Sequence, residues 1–287
     1  MHVQHVVYGT LSVNLEPDIT VFVGLEGKTR LLRGIHEAVQ SPDKKVWNWG
    51  EIKPENPDVL KPLLLDVDRA RDTGFYNEKS LNYLQQAVAK AGFQRGLTFF
   101  PTEEGVKVAF NASEDGQAHL RVIFTRIAEH LFSLFGDQNP LDGYALVLIN
   151  ELELLLHPKF QYNLLPKLKT TFPKVQFVVS TNSPLIISTV DARCLRIIED
   201  EKVYSVGRYT YGRDANSLLI EVFGAPNRPV EIEKKIDNIS RLIDRNKLEE
   251  AKKGLAELES IVGPHDSEVL RINTLLHFLE DDGESQT

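Results

Sequence analysis

ALVLINELELLLHP, residues 145–158, runs directly into KFQYNLLPKLKTTFPKVQFVVSTNSP, residues 159–184, and this stretch decides the fold. It holds two apolar runs, each ending in polar residues. Residues 146–149 lead into Asn150-Glu151, and residues 175–179 lead into Ser180-Thr181-Asn182-Ser183-Pro184. Near-continuous apolar runs of this length suit strands buried on both faces, as in a parallel sheet. Polar residues at the carboxyl ends of such strands stand where open α/β sheets place their chemistry. Residues 157–170 between the runs read as one crossover helix, which makes the unit β-α-β.

Working outward, LEPDITVFVGLEGKTRLLRGIHEAV (residues 15–39) reads as a turn at Pro17-Asp18, a strand over 19–23, a short glycine loop and a helix from about residue 29. That is the strand–loop–helix setting a phosphate-binding loop requires. The loop is Gly24-Leu25-Glu26-Gly27-Lys28-Thr29. A full P-loop has four residues between its first glycine and its Gly-Lys-Ser/Thr, and here there are two. Lys28 and Thr29 keep the residue types for phosphate and Mg²⁺ contact. The missing residues would have supplied backbone N–H groups to the phosphate nest. Glu26 also brings a carboxylate close to where phosphate would lie. A plain strand-to-helix turn without nucleotide remains an equal reading of these six residues.

Elsewhere, residues 3–14 read as a strand or hairpin, and residues 41–62, rich in proline and carrying Trp47 and Trp49, as an irregular insertion or edge element. Helical periodicity covers 78–91 and 117–135, with a hairpin over 97–110 between them. A short helix and a terminal hairpin follow Pro184. From Val230 the composition shifts to three amphipathic helices broken near Asn246 and Gly263-Pro264. The expected organisation is an α/β head over residues 1–229, with an irregular insertion at about 41–110, and an all-α appendage over 230–287.

Of the 287 residues, 42% are hydrophobic and 26% charged, which is ordinary globular usage. A formal net charge of −8 argues against a generally basic nucleic-acid-binding surface. Lys159, Lys167, Lys169 and Lys174 form the notable basic cluster, read first as a solvated helix face. Cys194 is the sole cysteine, which excludes an intrachain disulfide and fits a reducing cytoplasm. No run of about 18 apolar residues suggests a membrane span, and the first residues lack the pattern of a signal peptide.

The 148–161 and 172–184 segments resemble the core of ABC-class ATPases of the RecF/SMC/OLD type, in particular the bacterial ATP-binding proteins that include ATPase subunits of phage-defence systems such as Septu. The Walker B strand of that group reads roughly LIDEIDLHLHPxWQ, where this chain has LINELELLLHPKFQ. Its switch strand reads FPxxQFIxTTHSP, where this chain has FPKVQFVVSTNSP. Tyr211–Leu219 resembles a further element of the group, YGRDxNSLL. The resemblance implies a P-loop NTPase-like head with a mixed β-sheet and a small helical tail. It also implies ATP and Mg²⁺ as cofactors, with Gly24, Gly27, Lys28 and Thr29 binding phosphate and Thr29 and Asn150 at the metal. Glu151 is implied as general base and Asn182 as γ-phosphate sensor. Ser113 and Gly116 fall where the group has its signature motif, although a plain helix N-cap explains them equally.

The departures are specific. Asn150 replaces a metal-binding aspartate, and a neutral amide is a poor substitute beside a dication. Asn182 replaces a histidine and can neither carry charge nor relay a proton. Leu155 replaces a histidine, the P-loop is short, and Glu114-Asp115 would face phosphate at the signature. Together they lead to the expectation of a nucleotide-binding or pseudo-ATPase regulatory module of a phage-defence-type complex, working as a homo-oligomer or with a separate effector chain. The alternatives are an active ATPase that dimerises on ATP and controls a nuclease or other effector, and a RecF-like DNA-binding ATPase.

Overall fold

The computed structural model describes residues 2–8, 10–24, 26–41, 47–49, 61–66, 75–76, 78–93, 97–102, 105–110, 118–136, 138–207, 209–226 and 228–284. The chain divides into two compact units, Met1–Phe223 and Gly224–Thr287.

The first unit is built on a six-stranded mixed sheet. Its strands are β3 (Ile19–Val23), β5 (Leu63–Asp66), β9 (Ala145–Asn150), β10 (Val175–Ser180), β11 (Leu195–Glu199) and β12 (Lys202–Ser205), in the order β12-β11-β3-β10-β9-β5. Only the β11–β12 pairing is antiparallel. β10 lies between β3 and β9, so the glycine-loop strand and the Asn150 strand flank the strand that ends in Asn182. β9 and β10 are buried along their whole length, as the two apolar runs require. Period-2 alternation sends their side chains to two cores. Val147, Ile149, Phe177 and Val179 enter one, and Leu146, Leu148 and Val178 the other. Burying a side chain such as Val178 contributes roughly 1.5–3 kcal/mol, and Val178→Asp would remove that and strand a charge in the sheet.

The face carrying Leu148 is covered by helix α1 (Lys28–Gln40) and a second sheet of β1 (Val3–Tyr8), β2 (Leu11–Asn14) and β4 (Trp47–Trp49), ordered β2-β1-β4. Residues 3–14 are therefore a hairpin, and the Trp47 segment is an edge strand. Gln176 ties the two sheets together from within. Its Oε1 accepts from Val3 N at 2.8 Å, and its Nε2 donates to Val3 O at 2.8 Å and Glu16 O at 2.9 Å. The opposite face is packed by α2 (Glu78–Lys90), α3 (Ala118–Phe135) and the crossover. A third sheet joins β6 (Phe75–Tyr76), β7 (Leu97–Thr102) and β8 (Gly105–Phe110) in the order β6-β8-β7.

The crossover departs from the single helix expected. It consists of α4 (Pro158–Gln161) and α5 (Leu164–Thr171), interrupted at Tyr162-Asn163. Pro166 explains the break. A proline lacks an N–H and clashes with the carbonyl four residues back, so it sits only in a helix's first turn. A helix containing Pro166 must therefore start close to Leu164. After β10 come α6 (Pro184–Ile187), the β11–β12 hairpin with Asp200 and Glu201 at positive φ, and α7 (Ala215–Glu221).

The second unit holds α8 (Val230–Asp244), α9 (Leu248–Val262) and α10 (Ser267–Glu284). Asn246 (φ 56°) and Gly263 (φ 90°) end the first two. Ile239, Ile243, Leu255, Leu258, Val269, Ile272 and Leu276 form its core, and Arg228 makes a paired contact to Asp266 at 2.9 and 3.0 Å. No helix among the described residues is long and apolar enough to cross a membrane.

Candidate active site at the carboxyl ends of β3, β9 and β10

The glycine loop leaves β3 with Gly24 at φ 141° and enters α1 with Gly27 at φ 84°. Both angles favour glycine. A Cβ at Gly24 would also collide with the backbone carbonyl of Ile198. Gly27 is the N-cap of α1, with no side chain capping the helix. Lys28 follows, buried to 6% exposure. Its ammonium donates to the carbonyl of Gly24 and to Asn182 Oδ1 at 2.9 Å. Burial pushes the Lys28 ammonium below its ordinary range, and the nearby carboxylates of Glu153 and Glu151 oppose that shift.

β9 delivers Asn150, 8% exposed. Its Oδ1 accepts from Thr29 Oγ1 at 3.2 Å and Ser180 Oγ at 2.9 Å. A carbonyl oxygen has two lone pairs, so these two donors saturate it. The group of Asn150 that remains is its NH₂, a donor. Ser180 Oγ in turn accepts from Glu151 N at 2.9 Å.

Immediately after β9 the chain turns sharply, with Glu151 at φ 52° and Leu155 at φ 60°. Non-glycine residues in this region cost about 1–2 kcal/mol each, so the turn is over-determined by its surroundings. Its product is the placement of Glu153. Glu153 Oε2 accepts from Thr181 Oγ1 at 2.6 Å, and Oε1 from Asn182 N at 2.7 Å. Ser183 extends the arrangement: its N donates to Thr181 Oγ1 at 3.0 Å and its Oγ to Gln161 Oε1 at 2.6 Å.

The structure thus brings Gly24, Gly27, Lys28, Thr29, Asn150, Glu151 and Asn182 to one end of the sheet. Ser113 and Gly116 lie outside the described residues. His157 caps α4, its Nδ1 accepting from Lys159 N at 3.2 Å. Three of the four lysines in the basic cluster are engaged locally: Lys169 pairs with Asp18 at 3.0 Å, Lys167 lies over Phe93 and Lys174 over Tyr144. Sequence reasoning passed over Glu153, which holds the switch segment. The sequence shows a carboxylate two residues beyond Glu151, but nothing local to it marks the contact across to Thr181 and Asn182.

No family model matches the chain. Among curated proteins it is similar to the Retron Ec83 probable ATPase of Escherichia coli, at 28% identity over 253 residues, covering 80% of this chain and 47% of that protein. It is also similar to the Septu protein PtuA of Bacillus mycoides (strain KBAB4), at 34% identity over 182 residues, 61% of this chain and 24% of PtuA. The chain spans about half the length of the first relative and about a quarter of the second. Among solved structures, an SMC head bound to the C-winged helix domain of ScpA is similar with a TM-score of 0.49 at 11% identity, covering 72% of this chain and 98% of that one. The resemblance carried by the Walker B and switch segments is borne out by the retron and Septu relatives, and the expected α/β fold by the six-stranded, mainly parallel sheet.

Proposed function

We propose that the first unit binds ATP with Mg²⁺ as a signal for assembly within a retron- or Septu-like defence complex and turns it over slowly or not at all. The observation that supports this most is the pair of hydrogen bonds from adjacent residues of the loop, Lys28 to Asn182 and Thr29 to Asn150. It couples the glycine loop, the Walker B strand and the switch segment, the three parts that handle phosphate in the relatives' class. Bound ATP supplies the phosphate charge that the uncapped N-terminus of α1 attracts. Lys28 then exchanges the Gly24 carbonyl and Asn182 amide for phosphate oxygens. Asn182, released from Lys28, can donate its amide N–H to phosphate, which links the switch segment to nucleotide occupancy. Glu151 is the carboxylate at the strand end suited to accept a proton from water. Slow turnover follows from the shortened loop, the saturated Asn150 and the uncharged Asn182.

Association is assigned to the helical unit. Val230, Ile261 and Phe278 are 57%, 56% and 65% exposed there, a supply of apolar surface for a second copy or an effector chain. Titration calorimetry with ATP, with and without Mg²⁺, tests the nucleotide reading, and absence of any binding would sink it. Light scattering of a chain truncated after Pro229 tests the assembly reading, and an unchanged mass with intact partner binding would refute it.

A further inference from the structure

The carboxylate absent at residue 150 is present one strand over. β5 runs parallel to β9 with Asp66 as the Cα partner of Asn150. Leu146 and Leu148 belong to the α1-side core and Leu64 packs against it, so Asn150 and Asp66, each two residues further on, face α1 as well. α1 meets them with residues one turn apart. Thr29 donates to Asn150 Oδ1 at 3.2 Å, and Arg33 Nη2 donates to Asp66 Oδ2 at 3.0 Å. The Asp66 side chain is 17% exposed, and its Oδ1 is buried with no hydrogen-bond partner among the described residues. A buried carboxylate oxygen without a partner is costly and calls for an explanation.

We propose that Asp66 supplies the carboxylate oxygen for the divalent cation that accompanies bound nucleotide, in the role that residue 150 cannot fill. The inference rests on the nucleotide-binding reading. Mg²⁺ takes oxygen ligands and is commonly held by one or two carboxylates together with phosphate and water. Asn150 offers no free oxygen, since Thr29 and Ser180 both donate to it. Asp66 offers one. Arg33 engages the other oxygen, which fixes the carboxylate's orientation and balances its charge when no cation is present. The Thr29 hydroxyl, one turn before Arg33, keeps donating its hydrogen to Asn150 and offers an oxygen lone pair to the same cation.

The test is calorimetric titration of a slowly hydrolysed ATP analogue into the full chain, in chelator and in Mg²⁺. Mg²⁺ is expected to tighten wild-type binding about tenfold or more. Asp66→Asn should abolish that gain while leaving the affinity in chelator within about twofold, because only the metal contact is lost. Adding Asn150→Asp to Asp66→Asn should restore the gain. An Asp66→Asn protein that keeps the full Mg²⁺ gain overturns the proposal. So does wild-type binding that is indifferent to Mg²⁺, which leaves the nucleotide reading standing. Absence of wild-type binding in either condition overturns both. Should Asp66→Asn fail to fold by circular dichroism, Arg33→Gln decides: freeing the second oxygen should enlarge the Mg²⁺ gain, and an equal or smaller gain refutes the assignment.

Discussion

Removing the Glu153 carboxylate should loosen the segment Thr181–Ser183, and the cost can be worked from two hydrogen bonds. Glu153 accepts from the Thr181 hydroxyl at 2.6 Å and from Asn182 N at 2.7 Å. Both are short and charge-assisted, a class contributing about 1.5–3 kcal/mol each. The two are not equal. Thr181 is fully buried, so in Glu153→Ala its hydroxyl loses its acceptor inside the protein at about 2 kcal/mol. Asn182 is exposed, so its N–H regains water and the loss is nearer 1 kcal/mol. Glu153→Ala should therefore destabilise the first unit by about 3 kcal/mol. Glu153→Gln keeps one acceptor but no charge, and should cost roughly half as much. Urea unfolding followed by tryptophan fluorescence isolates this unit, since both tryptophans, Trp47 and Trp49, lie in it. Hydrogen exchange at the Asn182 amide should accelerate in parallel. A loss below about 1 kcal/mol, with Asn182 exchange unchanged, would show that the turn at Glu151 holds the switch segment without the carboxylate.

Lys28→Ala should eliminate nucleotide binding in calorimetry; an unchanged affinity would reduce the glycine loop to a turn. Asn150→Asp alone should not raise phosphate release to about 1 per second, the low end of ordinary enzymes, because the short loop and Asn182 remain; robust turnover would show that those two departures are harmless. Glu129 on α3 tests electrostatics away from the site: burial pushes its carboxyl from 4.5 up to about 7, its Oε1 has no partner among the described residues, and Arg126 lies 3.2 Å from Oε2. Because the folded form holds its proton more tightly than the unfolded one, stability is full below pH 4.5 and is lost as pH rises through 7, by about 2–3 kcal/mol. Glu129→Gln should flatten this slope and raise the melting temperature at pH 8 more than at pH 5, and parallel profiles for the two proteins would contradict it.

The strands that build the site were legible because burial on both faces leaves a continuous apolar run. β3, β9 and β10 could each be placed, and their polar ends pointed to Lys28, Asn150 and Asn182. The helical stripes beyond Val230 were legible for the equivalent reason at period 3.6. Two features were less so. Glu153 acquires its role only because β9 and β10 are neighbours and a positive-φ turn swings it across to Thr181, a contact set by tertiary pairing. Asp66 sat in the stretch without a motif to align. Yet Leu63-Leu64-Leu65-Asp66 is a short apolar run ending in a carboxylate, the same pattern that located Asn150. The break at Tyr162-Asn163 was also readable from Pro166, had its place in the first turn been weighed against the length of the apolar stripe.

The strand order has a consequence for how the chain is made. β3 sits between β10 and β11, and Val3 is held by Gln176 across a separation of 173 residues. As the chain leaves the ribosome, the glycine loop precedes its neighbouring strands, which follow only with residues 175–199. Closing so long a loop makes these pairings late events. A chain stalled before residue 175 should leave Ile19–Val23 open to protease and bind no nucleotide, and one stalled after β11 clears the exit tunnel should protect it. The glycine loop therefore acquires the strands beside it only after residues 175–199 have been made.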